Sequence, residues 1–286
     1  MSQRTTNASS ILRPEDVHEL LIEPVQRESV AFAASTPVTT SAPEVRFPKL
    51  TADPTAGWVA EGEEITVDDA EFGDITVKPA KVAAITAVSV ELAADSSPEA
   101  SKVIGQALVR SLTAKIDQAW FAATTVNGPS GLKSLTGAQL VLAGSAPTNT
   151  DAFLEAITAA ENVGGTITSW VMTPETALLF SRLKKQVGNE EPLLATDAAS
   201  ADGRKLRIAG VPVITTPYVS PVASPAPTIW GICRDRTYAV MRSDVVVDAD
   251  KSVYWSSDRL GLKATARVGF GFPHEPSVIE VRLADA

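Results

Sequence analysis

Apolar and acidic residues are mixed in an unusual way in the first third of this chain. Between Lys49 and Lys78 the sequence contains no Lys or Arg, and acidic residues are interspersed with the apolar ones. These apolar residues are too few to form a core by themselves. The pattern predicts a projecting two-stranded hairpin, and a neighbouring subunit is the natural surface for it to lie on. The apolar residues are Trp58, Val59, Ile65, Val67, Phe72, Ile75 and Val77, and the acidic ones are Glu61, Glu63, Glu64, Asp68, Asp69, Glu71 and Asp74.

A long strand and a long helix are predicted after the hairpin. From Lys81 to Leu92 apolar residues alternate with small or polar ones, which predicts a strand with both faces largely covered. The five residues at 95–99 are typical of a helix start, with Ser97 at the cap, Pro98 in the first helical position and Glu99 in the first turn. Apolar residues then recur at helical spacing. The helix is expected over about residues 98–123, a rod of about 37 Å.

Residues 1–47 are predicted to form an arm. Pro14 is expected to begin a short helix that ends near Ile22. The following run, SVAFAASTPVTTSAPEVRFPK, is rich in Ser, Thr, Ala and Pro, so we expect it to be extended. Two interpretations stay open for it: a flexible linker, or an arm that lies on a neighbouring subunit.

The rest of the chain predicts a mixed α/β region. One helix is expected to begin at Thr150 and to end at Gly164, and a second to begin at Thr173 and to end at Gly188. Strands are predicted in the segments TITSWVM, LRIAGVPVITT, TIWGICR, TYAVMR, DVVVDA, SVYWSS, LGLKATARVGFGF and SVIEVRL.

Composition excludes several functional classes. The 286 residues carry a net charge of −9, with a sequence pI of about 4.9. A protein that grips nucleic acid usually has a basic stripe, and the closest candidate, Arg182 with Lys184 and Lys185, is better explained as a solvated helix end. If this chain surrounds nucleic acid, it does so as a container. No run approaches the ~20 apolar residues of a membrane-spanning helix, and no secretory signal is visible.

The sequence offers little support for catalysis. His18, His274 and Cys233 would meet at a metal only by long-range coincidence, and a single cysteine rules out an internal disulfide framework. The run GFGFP at 269–273 fails the dinucleotide fingerprint because Pro takes the place of a third Gly. We therefore expect no catalytic, cofactor-binding or metal site. An enzyme with an undetected site stays open as an alternative of another class.

The order of these segments resembles the major capsid protein of tailed bacteriophages, the phage capsid family with the Hong-Kong-97-type capsid fold. GWVAEGEEI with FGDITVKPAKVAAITAVSVELAADS is similar to the family's extended E-loop and the strand behind it. SPEASKVIGQALVRSLTAKIDQAWF resembles its spine helix, and NGPSGL the turn that follows. LRIAGVPVITTPYV and TIWGICRDRTYAVMRSDVVV are similar to A-domain strands, and LKATARVGFGFPHEPSVIEVRL to the closing strands of the P-domain.

The resemblance implies an α+β fold in four parts. These are an N-terminal arm at 1–47, an E-loop at 48–85, a P-domain at 86–131 and 243–286, and an A-domain at 132–242. It also implies a subunit that assembles with itself as pentamers and hexamers into an icosahedral shell around double-stranded DNA. A portal protein would be a further partner. The location would be the virion capsid, with assembly in the host cytoplasm and no contact with a membrane. A bacterial encapsulin shell is the alternative within the same fold.

Two departures from the family pattern carry further expectations. Fewer than fifty residues precede the E-loop, which predicts either a separate scaffolding protein in place of a built-in one or a leading segment that has been cleaved, and the start at Met1 favours the first. Members that weld their shells join an E-loop lysine to an asparagine near the C-terminus, whereas here no lysine lies between Lys49 and Lys78 and the last asparagine is Asn189. We therefore expect a shell without covalent links, with a cement protein as an additional support.

The residues expected at contacts between subunits lie on the hairpin and on the long helix. The hairpin would contribute a tryptophan anchor and its acids, and the helix of a neighbour would contribute basic partners. They are Trp58, Glu61, Glu63, Glu64, Asp68, Asp69 and Phe72 on the hairpin, and Lys102, Arg110 and Lys115 on the helix.

Overall fold

The computed structural model describes residues 25, 28–52, 57–64, 71–89, 98–144, 149–183, 206–219, 227–250, 252, 254 and 257–283. The helices in this part of the chain are α1 (Val30–Ala34), α2 (Pro98–Phe121), α3 (Asp151–Asn162) and α4 (Pro174–Ser181). The strands are β1 (Thr36–Thr40), β2 (Val45–Ala52), β3 (Glu71–Val77), β4 (Ala80–Ser89), β5 (Gln139–Ala143), β6 (Ser169–Met172), β7 (Arg207–Ile208), β8 (Val211–Thr215), β9 (Thr228–Ile232), β10 (Tyr238–Asp250), β11 (Arg259–Gly271) and β12 (Ile279–Leu283).

The spine helix α2 is the longest helix of the described chain. It begins at Pro98, as the sequence predicts, and its helical hydrogen bonding ends at Phe121, about two residues early. Its buried side includes Leu108 and Leu112, which pack on Ala264 of β11. At its end the N–H of Gly131 donates to the carbonyl of Ala122, and any side chain at position 131 would collide with helix carbonyls. The loop after the helix therefore closes tightly onto the last turn.

A four-stranded sheet in the order β1-β10-β11-β4 lies under the spine helix. Strands β4 and β11 are antiparallel, and their register pairs Ser89 with Arg259 at one end and Ala80 with Val268 at the other. The expectation that both faces of β4 are covered is wrong for the single chain. Residues facing α2 are at least half-buried, whereas those on the opposite face are exposed. The exposed residues are Lys81, Ala83, Ile85 and Ala87.

Three predicted strands after position 237 need correction. TYAVMR and DVVVDA are one continuous strand, β10, with an irregularity in its pairing between Arg242 and Val246. The segment SVYWSS, where it is described, is a turn between β10 and β11. There the carbonyl of Tyr254 accepts hydrogen bonds from the N–H groups of Ser257 and Arg259. The short antiparallel connection between β10 and β11 requires a turn here, although aromatic residues favour strands.

The segment before the hairpin also differs from expectation. Residues Val30–Ala34 form a helix, and Thr36–Thr40 form β1, which pairs in parallel with β10 of the same chain. Phe32 is buried in the main core together with Trp120 and Trp230. Residues 30–40 therefore pack on their own chain and are not a flexible linker, and Ala31, Phe32 and Ala34 are their buried apolar residues. The helix predicted from Pro14 lies outside the described residues.

A buried carboxylate joins that segment to the spine helix. Asp117 is only 2% exposed, and its Oδ1 accepts hydrogen bonds from Ser29 Oγ at 2.6 Å and from the N–H of Ala31 at 3.1 Å. Its Oδ2 accepts from the N–H of Val30 at 3.2 Å. Asp117 thus satisfies the free N–H groups at the start of α1 from another element. Burial raises the pKa of Asp117, and these three hydrogen bonds oppose the rise.

The second layer is a six-stranded mixed sheet in the order β5-β12-β9-β6-β8-β7. Helices α3 and α4 cover one face of it, where Phe153, Trp170 and Phe180 pack edge to face. Thr173 caps α4 as predicted, since its Oγ1 accepts from the N–H of Thr176 at 3.2 Å. Helix α3 ends at Asn162 ahead of Gly164, also as predicted. The continuation of the second helix to Gly188 lies outside the described residues.

Replacing Asp117 should loosen the N-terminal segment. In D117N the amide oxygen can still accept from Ser29 and Ala31, but the amide nitrogen would face the N–H of Val30, donor against donor. Leaving a buried donor unpaired costs about 1–3 kcal/mol. We expect the free energy of unfolding to fall by that amount in urea denaturation followed by tryptophan fluorescence. Gln118→Ala, on the exposed face of the same helix, should change it by less than about 0.5 kcal/mol.

The pH dependence of this difference supplies a second check. Because the pKa of Asp117 is raised in the folded chain, its contribution is complete below the unfolded pKa and falls as the pH rises through the folded pKa. The deficit of D117N should therefore widen as the pH is lowered towards the ordinary carboxyl range. A deficit that shrinks on acidification would contradict this account of the site.

Candidate subunit interface

A hairpin is present as β2 and β3, a two-stranded antiparallel sheet separate from the two larger sheets. Only its second strand lies in the acidic segment from which the hairpin was predicted, because β2 begins at Val45, in the stretch expected to be an extended arm. Its root is fixed on the body. The ring of Phe47 stacks on Tyr238 of β10 with centroids 4.5 Å apart, and Val77 is buried. Seven to eight residues per strand carry the hairpin roughly 25 Å outward. The hairpin is therefore rigid at its root and projects at its far end.

The GFGFP run supplies the seat for this root. Phe270 and Phe272 point into the main core, whereas Gly269 and Gly271 face the hairpin. A Cβ added at Gly269 would lie 2.7 Å from Val77 Cγ1, and one added at Gly271 would lie 3.0 Å from Val77 Cγ2. Alternating Phe and Gly thus fills the core on one side of β11 and admits the hairpin on the other. Sequence reasoning rejected this motif as a nucleotide site and missed its structural role.

The far end of the hairpin exposes a tryptophan beside an acidic turn. The N–H of Glu63 donates to the carbonyl of Ala60 at 3.1 Å, and Gly62 in this turn has φ +88°. Trp58 is fully exposed, and Glu61, Glu63 and Glu64 are exposed as well. A large amphipathic ring that is fully exposed in the described part of the chain, next to three carboxylates, is typical of an interface anchor.

A second aromatic residue is uncovered further down the hairpin. Phe72 on β3 is 78% exposed, on the side away from the buried Val77. Asp68 and Asp69, which the sequence assigns to the same contact, lie outside the described residues. Within the described part of the chain, the hairpin therefore offers two separated apolar points.

The basic residues expected to receive the hairpin do not share one face of the spine helix. Arg110 and Lys115 are both exposed, but five residues at about 100° each put them roughly 140° apart around the axis. Lys102 is part of α2, and its side chain lies outside the described atoms. Lys115 borders a groove beside β4. One hairpin of a neighbouring subunit could therefore contact Lys115 but not Arg110 and Lys115 together.

A groove next to Lys115 was not foreseen from sequence. It has a volume of about 290 Å³ and opens between the start of β4, the second half of α2 and the loop at 125–129. Val82, Ile116 and Phe270 line its apolar part. Lys81 and Lys115 border it, and Val126 is 91% exposed. The signal that could have found it is the pair of lysines on adjacent predicted elements, which only the fold brings together.

The described residues contain no group of three or more His, Cys, Asp or Glu side chains able to hold a metal. Among the described helices none is long and apolar enough to cross a membrane. Cys233 is buried, as predicted, and its Sγ donates to the carbonyl of Ser277 at 3.2 Å. Burial and the nearby Asp235 raise the pKa of this thiol to about 11, so it is a poor nucleophile.

Solved structures that are similar to this chain come from GTA particles and from phages. The chain is similar to the capsid of a native GTA particle, with a TM-score of 0.68 and 18% identity, covering 100% of this chain and 95% of that one. It is also similar to a chain of Mycobacterium phage Bobi, with a TM-score of 0.69 and 17% identity, covering 100% of this chain and 96% of that one. At these identities the likeness defines the fold, which is the α+β Hong-Kong-97-type capsid fold.

Sequence comparison establishes the family. The model of the phage capsid family matches residues 10–280, so the chain belongs to that family. The chain is also 31% identical over 173 residues, 58% of its length, to the capsid polyprotein of Pseudomonas phage PAJU2. It spans about a quarter of that curated relative's length. The encapsulin and enzyme alternatives are not favoured.

Filling the glycine seat should displace the hairpin. Gly269→Ala puts a Cβ against Val77 and 3.3 Å from the Cα of Pro79, and such overpacking costs about 1–3 kcal/mol. We expect faster amide hydrogen exchange in β2 and β3 with little change in α2. Gly144→Ala is the matched control, because a Cβ there meets nothing within 4 Å. Unchanged exchange in the hairpin of Gly269→Ala would contradict the proposed seat.

Proposed function

We propose that this subunit assembles through its hairpin into pentamers and hexamers, and that these form an icosahedral shell around double-stranded DNA. The observation that carries the proposal is the rooted hairpin with Trp58 and Phe72 uncovered. A monomer leaves this surface in water, and contacts between different patches generate rings when they close. The GTA capsid with the same fold was computed with C5 symmetry, which supports a five-fold ring.

The proposed contact is between the acidic hairpin of one subunit and basic side chains of the spine helix of another. Glu61, Glu63 and Glu64 are exposed on the hairpin, and Arg110 and Lys115 are exposed on the helix. Asp68, Asp69 and Lys102 complete the proposed set from the sequence alone. Each exposed pair contributes under ~1 kcal/mol, but the contact is repeated in every subunit.

The shell is proposed to hold without covalent links between subunits. The hairpin has no lysine between Lys49 and Lys78 to form an isopeptide bond. Cys233 is buried and its thiol pKa is raised, so it does not offer an alternative crosslink. Stability then comes from overlap of the hairpin and arm, with a cement protein as a further support.

The remaining partners follow from the capsid role. A scaffolding protein would guide assembly in the host cytoplasm, and a portal protein would occupy one vertex. The chain is proposed to have no enzymatic activity and to need no cofactor. Its net charge of −9 supports enclosure of DNA without sequence-specific binding, because a basic surface is what phosphate contacts need.

The four-part division also stays a proposal. Residues 1–47 would be the N-terminal arm, 48–85 the E-loop, 86–131 with 243–286 the P-domain, and 132–242 the A-domain. The separate hairpin sheet, the four-stranded sheet with the spine helix and the six-stranded sheet support it.

Self-assembly is the direct test of this function. The purified chain, with or without its scaffold, should elute as capsomers or larger particles in size-exclusion chromatography with light scattering. Electron microscopy should show closed shells, and particles isolated from an infection should contain DNA. A clean monomer of 30.0 kDa at high concentration, in every buffer and with scaffold present, would overturn the proposal. Particles that contain a cargo protein in place of DNA would favour the encapsulin alternative.

The absence of covalent links has its own test. Mature particles boiled in detergent without reductant should give one band at the monomer mass, because hydrophobic and ionic contacts are lost under these conditions. Raised salt should loosen the intact shell, since the exposed pairs are screened. A ladder of oligomers that survives both detergent and reductant would refute a non-covalent shell.

A further inference from the structure

We propose that the groove between β4 and the spine helix receives Trp58 from the hairpin of a second copy of this chain. The inference rests on the proposed assembly and specifies its contact. In place of a contact with basic side chains anywhere along the spine helix, it specifies one binding site, the groove beside Lys115. The occupant is a second copy because the chain itself carries a side chain and a charge pattern that match the groove.

The groove has the chemistry to take one aromatic side chain. Ile116 and Ala119 of α2, Val82 of β4 and Phe270 of β11 give it an apolar lining. Its volume of about 290 Å³ is at the lower limit of the ~300–1,000 Å³ typical of small-molecule sites. A single indole ring fits this scale better than a metabolite does. Burying such a ring removes about 150–250 Å² from water.

The charges around the groove and around Trp58 are opposite. Lys81 and Lys115 border the groove and are exposed, and Lys115 Nζ donates to Gln118 Oε1 at 3.2 Å. Trp58 is followed within six residues by Glu61, Glu63 and Glu64. An indole in the groove would bring the acidic turn near these lysines. Such complementarity selects the partner and its orientation more than it adds affinity.

The described residues of the chain's own hairpin do not line the groove. Its root, at Ile75–Lys78, lines a neighbouring cavity on the other side of Pro129 and Phe270. From that root the hairpin extends outward, and Trp58 at its far end is fully exposed. Each subunit thus carries the groove near the root of its hairpin and Trp58 near the tip. A tip-to-root contact is heterologous, and it closes into a ring when the rotation permits.

Disulfide trapping tests this placement directly. Gly57→Cys puts a thiol next to Trp58 without changing it, and Val126→Cys puts one at the exposed loop beside the groove. Oxidised particles of the double variant should give a ladder of oligomers in detergent that collapses with reductant. Gly57→Cys with Leu154→Cys, an exposed residue on α3, is the matched control and should give monomers. Intact particles of the double variant without a ladder would overturn the placement of Trp58 in the groove.

Charge reversal gives an independent readout. Glu63→Lys with Glu64→Lys should reduce the yield of particles by about fivefold or more, and so should Lys81→Glu with Lys115→Glu. All four changes together should restore the yield to within about twofold, because the opposite signs are re-formed. Arg110→Glu, on another side of the helix, should not rescue the hairpin variant. If the variant with all four changes does not recover the particle yield, or if Arg110→Glu restores the yield of the hairpin variant, the proposal is contradicted.

Trp58→Ala completes the test. Because the ring is fully exposed in the single chain, the variant should fold and unfold like the wild type but assemble poorly, and Trp58→Phe should assemble better than Trp58→Ala. A Trp58→Ala chain that fails to fold would contradict the interface role. If the wild type does not assemble, the proposed function and the groove contact fail together. If the wild type assembles but trapping and rescue both fail, only the groove contact is wrong.

Discussion

The packing of one face of the spine helix on the four-stranded sheet governs most of this subunit. Leu108 and Leu112 join the helix to Ala264 of the sheet, while Trp120 at its far end enters the main core with Phe32. Because the helix occupies one side of the sheet, the hairpin that leads into β4 must leave the body beside it. Asp117, on the same helix, accepts the hydrogen bonds that position the segment before the hairpin. The spine helix therefore positions both the segment that precedes the hairpin and the strand β4 that follows it.

That arrangement leaves apolar surface that the chain cannot cover by itself. The root of the hairpin is buried on the two glycines of β11, so the hairpin cannot fold back to hide its tip. Trp58 and Phe72 stay in water in the single subunit, and β4 exposes Ile85 on the face away from the helix. A fold that is rigid where it meets its own core and uncovered where it projects is built to be completed by other subunits.

The periodic and capped elements could be predicted from the sequence, whereas long-range packing could not. Pro98 marks the start of the spine helix and Thr173 marks the cap of α4, because both are local signals. The helix at Val30–Ala34 was missed because its stability comes from Asp117, a residue far along the chain. The groove was missed for the same reason, since Lys81 and Lys115 come to border one groove only after β4 packs beside α2. The exposure of Trp58 agrees with the interpretation of apolar residues among acids as contact residues, and its role as an anchor stays a prediction.

The acidic character of the hairpin has a physical consequence for how a shell of this kind can form. In the proposed assembly, like charges on neighbouring hairpins repel, so free subunits are kept apart until each acidic tip meets Lys81 and Lys115 of another subunit. Each exposed ion pair contributes little by itself and is weakened by salt, which lets a wrong contact separate again. Once a ring closes, the same weak contact is present at every subunit, and breaking one no longer releases the others. Weak and numerous contacts thus let wrongly placed subunits dissociate during assembly and still give a stable ring after closure. A single strong contact per subunit would not give both.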